Sequence, residues 1–193
     1  MDKVTLFINK IVEFLESFGI VGGFLLILLE SIIPIMPLGV FVGLNIMAYG
    51  TVVGFVLSYF ATVCGCMLSF VFFRKFIKNG FYKLFKGKKK VYIERLMNKV
   101  SNIDFNALVI ILAMPFTPAF AINIAGGLSN IKIKKYFISL LISKIAIVYF
   151  WGYVGTSLLQ SFTDIMVVLK MVIIIAIAYV VSKIVEIIFK VEE

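Results

Sequence analysis

The chain has 193 residues, 62% hydrophobic against 15% charged, with a formal net charge of +9, whereas soluble domains average roughly 45–50% apolar and about 25% charged. With a mean hydropathy of +1.11, apolar runs reaching the C-terminus and no basic n-region with an A-x-A-like site, the expectation is an integral membrane protein without a cleaved targeting segment, not a secreted globular one. The chain has no His and two Cys, Cys64 and Cys66, two apart in an apolar run; this argues against zinc or redox chemistry, so no metal and no cofactor are expected and both thiols read as helix-packing residues.

Residues 1–18 place Leu6, Ile8, Ile11, Val12, Leu15 and Phe18 opposite Asp2, Asn9, Lys10, Glu13 and Glu16, the pattern of an amphipathic interfacial helix. From 19 to 193 the sequence reads as one membrane domain. Its first segment, 20–49, is apolar but interrupted by Glu30 and by Pro34 and Pro37, which must break a continuous helix; a broken, re-entrant hairpin fits better than a straight span. Residues 51–73 carry no charge and suffice to cross about 30 Å of hydrocarbon, giving a transmembrane helix that ends at Arg74.

The loop 74–106 follows. Between Arg74 and Lys99 stand Arg74, Lys75, Lys78, Lys83, Lys86, Lys88, Lys89, Lys90, Arg95 and Lys99 against the single acid Glu94. The positive-inside rule therefore makes this loop cytoplasmic, and its expected partner is the headgroup surface of anionic lipids. No recognition motif accompanies the basic run, so nucleic acid is not expected as a partner. Residues 107–130 are again apolar and again broken, at Met114-Pro115-Phe116-Thr117-Pro118. Lys99 and its neighbours precede the segment and Lys132, Lys134 and Lys135 follow it, so both ends belong on one face and the segment reads as re-entrant. Residues 136–159 then cross outward and 165–188 return, leaving the C-terminus cytoplasmic.

All four prolines fall in two P-x-x-P pairs, Pro34/Pro37 and Pro115/Pro118, offset by 81 residues, each in a broken apolar segment followed by an uninterrupted span. The first hairpin should enter from outside and the second from inside, so the two units are inverted. Broken helices meeting near the midplane are a transporter arrangement, because freed backbone groups are tolerated only where protein or a wet cavity receives them. Two ordinary kinked helices are the plainer alternative.

Several stretches resemble a known family. Glu30-Ser31-Ile32-Ile33-Pro34-Ile35-Met36-Pro37, then Gly65 with Ser69 and Phe70 leading to Arg74, and above all PFTPAFAINIAGGLSNIKIKKYF from Pro115 to Phe137 are similar to the DedA superfamily, also called the VTT-domain or SNARE-associated Golgi protein family. The resemblance covers roughly residues 20–160, and P-x-x-P followed by N-x-x-G-G-L marks one branch. It implies two opposed re-entrant hairpins and lipid movement between leaflets, as phospholipid scrambling or as carriage of undecaprenyl phosphate; the partners would be membrane phospholipids or polyprenyl phosphate, with homo-oligomerisation left open. Proton-dependent bacterial members have a second acid after the first prolines and two arginines in the second hairpin. Here Leu38-Gly39-Val40 and Ala113, Met114 and Ala119 stand in those regions, so of that set Glu30 is retained.

The candidate transport path comprises Glu30, Pro34, Pro37, Asn45, Pro115, Thr117, Pro118, Asn123, Gly126, Gly127 and Lys144. Glu30, about ten residues into an apolar run, costs roughly 2.5–3.5 kcal/mol at such depth; it either meets a headgroup amine or a proton, or braces the broken hairpin. Lys144, about 13 Å past Lys135 along a helix, is either a partner of Glu30, a phosphate ligand or a snorkelling surface lysine. The amide of Asn123 suits a headgroup and equally suits backbone opened by the prolines. Gly126 and Gly127 favour a tight turn or close helix approach, Asn45 and Thr117 are polar candidates of the same kind, and Arg74 marks the interface or braces the hairpins. Trp151, with Tyr149 and Tyr153, reads as helix packing or an aromatic belt. No catalytic constellation is present, so the sequence does not predict an enzyme. The expected fold is all-α, with two inverted hairpins, about three transmembrane helices and the interfacial helix. The expected function is lipid translocation, with a proton- or ion-coupled small-solute transporter and a non-transporting assembly factor as alternatives. High Lys, Ile and Asn content points to an AT-rich bacterial genome and hence to the plasma membrane.

Overall fold

A computed structural model of the chain describes residues 3–34, 38–81, 83, 87–117, 119–160 and 165–191. The described elements are helical, as expected for an all-α membrane protein: α1 (Lys3–Ile32), α2 (Leu38–Tyr49), α3 (Thr51–Phe72), α4 (Lys78–Phe81), α5 (Gly87–Asn102), α6 (Phe105–Ala113), α7 (Ala119–Leu128), α8 (Ile133–Gln160) and α9 (Ile165–Val191). Two glycines make the sharp changes of direction. Gly19 breaks α1 at φ 62°, ψ −170°, a conformation open to a residue without Cβ, and the Tyr49 hydroxyl fixes the break by donating to the Gly19 carbonyl at 2.8 Å. Gly50, at φ 79°, is the one residue between α2 and α3.

Among the described residues, two helices are each long and apolar enough to cross a bilayer, Thr51–Phe81 and Ile133–Leu159. The first does not end at Arg74, where its uncharged run ends. It passes through one π-turn, Phe73–Ile77, into α4, because no Pro interrupts the segment and the Arg74 charge finds carbonyl partners within the fold. On α3 the exposed Val52, Val56, Phe60, Leu68 and Phe72 recur every fourth or eighth residue, a stripe that faces hydrocarbon in a spanning helix. The second apolar break separates α6 from α7 at Met114–Thr117. Upstream of it, the helix pair Lys90–Asn102 and Phe105–Ala113 bends by 99°. Pro37 and Pro118 lie outside the described residues.

The helices meet backbone to backbone. A Cβ on Gly43 would lie 2.7 Å from the Gly155 carbonyl carbon, so α2 and α8 touch through Gly39, Gly43 and Gly155, a small-residue crossing of the kind membrane helices use where apolar burial supplies no driving force. A Cβ on Gly65 would lie 2.5 Å from Ser31 Cβ and 2.6 Å from the Leu28 oxygen, and one on Gly127 would lie 2.6 Å from the Phe70 oxygen. These contacts set α3 against α1 and α7. Among the described residues the two larger apolar clusters lie around Cys66, Phe70, Leu108, Ile131, Tyr136 and Leu140 and around Ile27, Val42, Ala61, Ile147 and Val148.

Candidate functional site

Three helices place polar groups in the interval between the two clusters. On α8, Tyr136, Leu140, Lys144 and Val148 fall every fourth residue on one buried face, which a helical repeat of 3.6 residues permits. Leu140 belongs to the first cluster and Val148 to the second, so Lys144, 1% exposed, lies between them. On α1, Ile27 belongs to the second cluster and Ser31 packs on Gly65 beside Cys66 of the first. Glu30, 6% exposed, stands between Ile27 and Ser31. On α3, Thr62 follows Ala61 of the second cluster, is buried, and donates to the Ser58 carbonyl at 2.7 Å.

Among the described residues, four polar side-chain atoms are buried without a hydrogen-bond partner: Ser31 Oγ, Ser69 Oγ, Asn123 Nδ2 and Arg74 Nε. They follow α3. Ser31 lies on Gly65, and Ser69 is one turn further along. Phe70 stacks on Tyr136 at 4.2 Å, the Tyr136 hydroxyl donates to Asn123 Oδ1, and the Arg74 guanidinium sits 4.6 Å over the Phe70 ring. From Gly65 to Arg74 the line is about 13 Å long at 1.5 Å per residue.

Arg74 closes the end of α7. Its Nη2 donates to the carbonyls of Ser129 at 3.0 Å and Ile131 at 2.7 Å, while Lys78 Nζ donates to the Ser129 carbonyl and Asn130 Oδ1, both at 2.7 Å. Two cations thus meet the negative end of a helix dipole, and the π-turn that aims Arg74 inward is a feature frequent at functional positions. Asn45 spends its amide inside the protein, donating to the Gly23 carbonyl at 3.2 Å and Ser58 Oγ at 3.3 Å, a brace among α1, α2 and α3. Gly126 and Gly127 are close-approach positions against Phe70, Tyr136 and Arg74. Pro34 is exposed, two residues past α1, while Pro115 and Thr117 are half-buried in the turn after α6.

The two breaks converge on one side chain. Gly39, just past the first proline pair, has its Cβ position 2.8 Å from Trp151 Cε3. Phe116, inside the second pair, has its ring 6.0 Å from Trp151 and 5.9 Å from Tyr179 of α9. Reading Trp151 as belt or packing did not anticipate this junction, and nothing in the sequence pattern reveals it. Ser31, Gly65, Ser69, Ser129 and Tyr136 carried a signal as motif residues, whereas Lys78 was hidden in a lysine-rich flank. Among the described residues, no group of three or more Cys, Asp or Glu could hold a metal ion.

The match to known proteins fits this geometry. The VTT domain model covers residues 18–157, from the Gly19 break to the end of α8. The chain belongs to the VTT-domain family. It is 27% identical over 179 residues, 93% of this chain and 86% of the relative, to the uncharacterized membrane protein YhjE of Bacillus subtilis (strain 168). No solved structure matches. This VTT-domain protein, of the DedA family, is therefore a multi-pass membrane protein of a transporter-type family, and the matched region holds both proline breaks, the polar interval and the Arg74 clamp.

Proposed function

We propose that this VTT-domain protein moves lipid headgroups between leaflets, along a polar path lined by two opposed re-entrant segments, while acyl chains stay in the bilayer. The observation that carries the reading is the set of unmet buried polar atoms, Ser31 Oγ, Ser69 Oγ, Asn123 Nδ2 and Arg74 Nε, together with the burial of Glu30 and Lys144. Each unmet group costs about 1–3 kcal/mol, a cost that a passing phosphate or glycerol hydroxyl would relieve. In the path Glu30 receives an amine or a proton, Lys144 attracts the phosphate, and Asn123 serves either. Lysines on both flanks of the second broken segment support entry and exit by one face, and the convergence of both breaks on Trp151 supports a meeting near the midplane. The loop 74–106 and the C-terminus are cytoplasmic in this reading, the membrane is the bacterial plasma membrane, and the substrates are phospholipid or polyprenyl phosphate.

The test is leaflet exchange of fluorescent phospholipid in proteoliposomes without an ion gradient. Wild type should exceed empty vesicles, and Glu30→Gln and Asn123→Ala should lose most of the excess. If neither phospholipid nor polyprenyl phosphate moves faster than in empty vesicles, with or without a pH step, lipid translocation is abandoned. Movement only under the pH step would make it a coupled carrier.

A further inference from the structure

The lipid path leaves α5 unused. We propose that α5 is a surface helix that lies flat on the membrane and binds anionic phospholipid headgroups through one face, anchoring the α6–α7 segment to that leaflet. The orientation follows from the corner. α6 packs on α8, one of the two spanning helices, and the chain bends by 99° between the α5 and α6 segments. Since α6 opens the apolar segment that the translocation reading places in the bilayer, a bend of this size turns α5 out of that segment's direction and along the bilayer surface.

The corner is held firmly. Asp104 caps α6 by accepting from the backbone N–H of Asn106 at 2.8 Å and Ala107 at 3.4 Å. Asn130 N–H donates to Ser101 Oγ at 2.8 Å, and Lys135 Nζ donates to the Ile103 carbonyl. The last turn of α5 is thereby fixed to the turn that Arg74 and Lys78 clamp.

The face has the chemistry of a lipid surface. Ile93, Met97, Val100 and Ser101 are half-buried toward the protein. On the outer side Val91 is 57% exposed, Tyr92 62% and Leu96 36%, interleaved with exposed Arg95 and Lys99. Apolar side chains alternating with cations are the pattern of an interfacial helix that inserts shallowly between anionic headgroups. The one acid of the segment, Glu94, is tied to Lys90 at 3.8 Å, one turn away on another side of the helix. A soluble acidic partner would favour the cations and have no use for Val91, Tyr92 and Leu96, whereas a headgroup layer uses both.

The test reads the depth of Leu96→Cys, carrying a nitroxide on a Cys64→Ala/Cys66→Ala background, in the full chain in nanodiscs. Discs of phosphatidylcholine are compared with discs that also contain phosphatidylglycerol. In the presence of phosphatidylglycerol the label should become poorly accessible to a water-soluble nickel relaxant and accessible to oxygen, and high salt should reverse the change. Arg95→Gln with Lys99→Gln should weaken docking about fivefold per charge removed, while Arg95→Lys with Lys99→Arg keeps it. Equal water accessibility in both disc types overturns the proposal. So does immersion that ignores phosphatidylglycerol and the Gln substitutions, or a shift that soluble polyanion produces in phosphatidylcholine discs. Leaflet exchange is not read, so failure here leaves the translocation reading standing and failure there leaves this one.

Discussion

Gly65→Ala tests the packing on which the polar path depends. The new Cβ would lie 2.5 Å from Ser31 Cβ and 2.6 Å from the Leu28 carbonyl oxygen, against about 3.5–4.0 Å for relaxed carbon contacts. Because one obstacle is backbone, a rotamer change cannot relieve the clash, and α1 must move from α3 by about 1 Å. Overpacking of this kind costs typically ~1–3 kcal/mol, and the helix gains ~0.5–1 kcal/mol from losing a glycine, so a net loss of about 1–2 kcal/mol is expected. For a chain of this size that lowers the unfolding midpoint by roughly 2–8 °C. The assay is thermal unfolding in detergent, with Gly80→Ala as the control. Gly80 lies in the same long helix with nothing within 4 Å of its Cβ position, so its substitution should be neutral or stabilising. If Gly65→Ala and Gly80→Ala shift the midpoint alike, the claimed α1–α3 contact is wrong. Since the displaced residue, Ser31, adjoins Glu30, leaflet exchange should fall in Gly65→Ala and persist in Gly80→Ala.

Three further outcomes follow from other contacts. Arg74→Met keeps the stem over Phe70 but loses the bonds to the Ser129 and Ile131 carbonyls, and should cost about 2–4 kcal/mol in unfolding experiments, since charged hydrogen bonds contribute roughly 1.5–3 each and Lys78 still serves Ser129. Arg74→Lys should recover less than half, because an ammonium lacks the guanidinium fork. The N–H groups of Asn106 and Ala107 hold the Asp104 carboxyl below its ordinary value, so its cap is fully effective above the ordinary Asp range and lost as pH falls through the lowered folded value; Asp104→Asn, still a capping residue, should flatten the acid limb of a stability–pH profile. Gly155→Ala, whose Cβ would run into the Gly39 carbonyl, should lower the midpoint more than Gly152→Ala, which meets the movable Ile46 Cδ1 at 2.9 Å.

Much of the fold was legible because membrane residence leaves coarse marks. An uncharged run of helical length gave α3 and a long apolar run gave α8, two proline pairs gave the breaks after α1 and between α6 and α7, and Glu30 and Lys144 stood out as charges in apolar runs and are indeed buried. What was illegible depended on juxtaposition. Asn45 looked like Asn123 in sequence, yet Asn45 is consumed between Gly23 and Ser58, while Asn123 keeps an unmet amide nitrogen. The sequence left Arg74 as either an interface marker or a brace, because it does not show the carbonyls 52 to 57 residues away that receive its guanidinium. Ser31 and Ser69 were visible as motif residues, but an uncharged hydroxyl in an apolar run does not show in sequence whether it is met, and here both are unmet.

The arrangement separates rigid from responsive parts by chemistry. Where helices touch through glycine backbone, at Gly39/Gly155, Gly65/Leu28 and Gly127/Phe70, a small shift raises the energy steeply, so these contacts set distances between helices. Where they meet through unmet hydroxyls and amides, a polar ligand lowers the energy instead. Both kinds lie along α3, a turn apart at Gly65 and Ser69, so under the proposed translocation α3 would be the fixed rail beside which a headgroup exchanges partners. Moving α1 against that rail, as Gly65→Ala does, changes the spacing of the polar groups without removing any of them. Loss of exchange with Glu30, Ser69 and Asn123 all intact would therefore separate geometry from chemistry in the path.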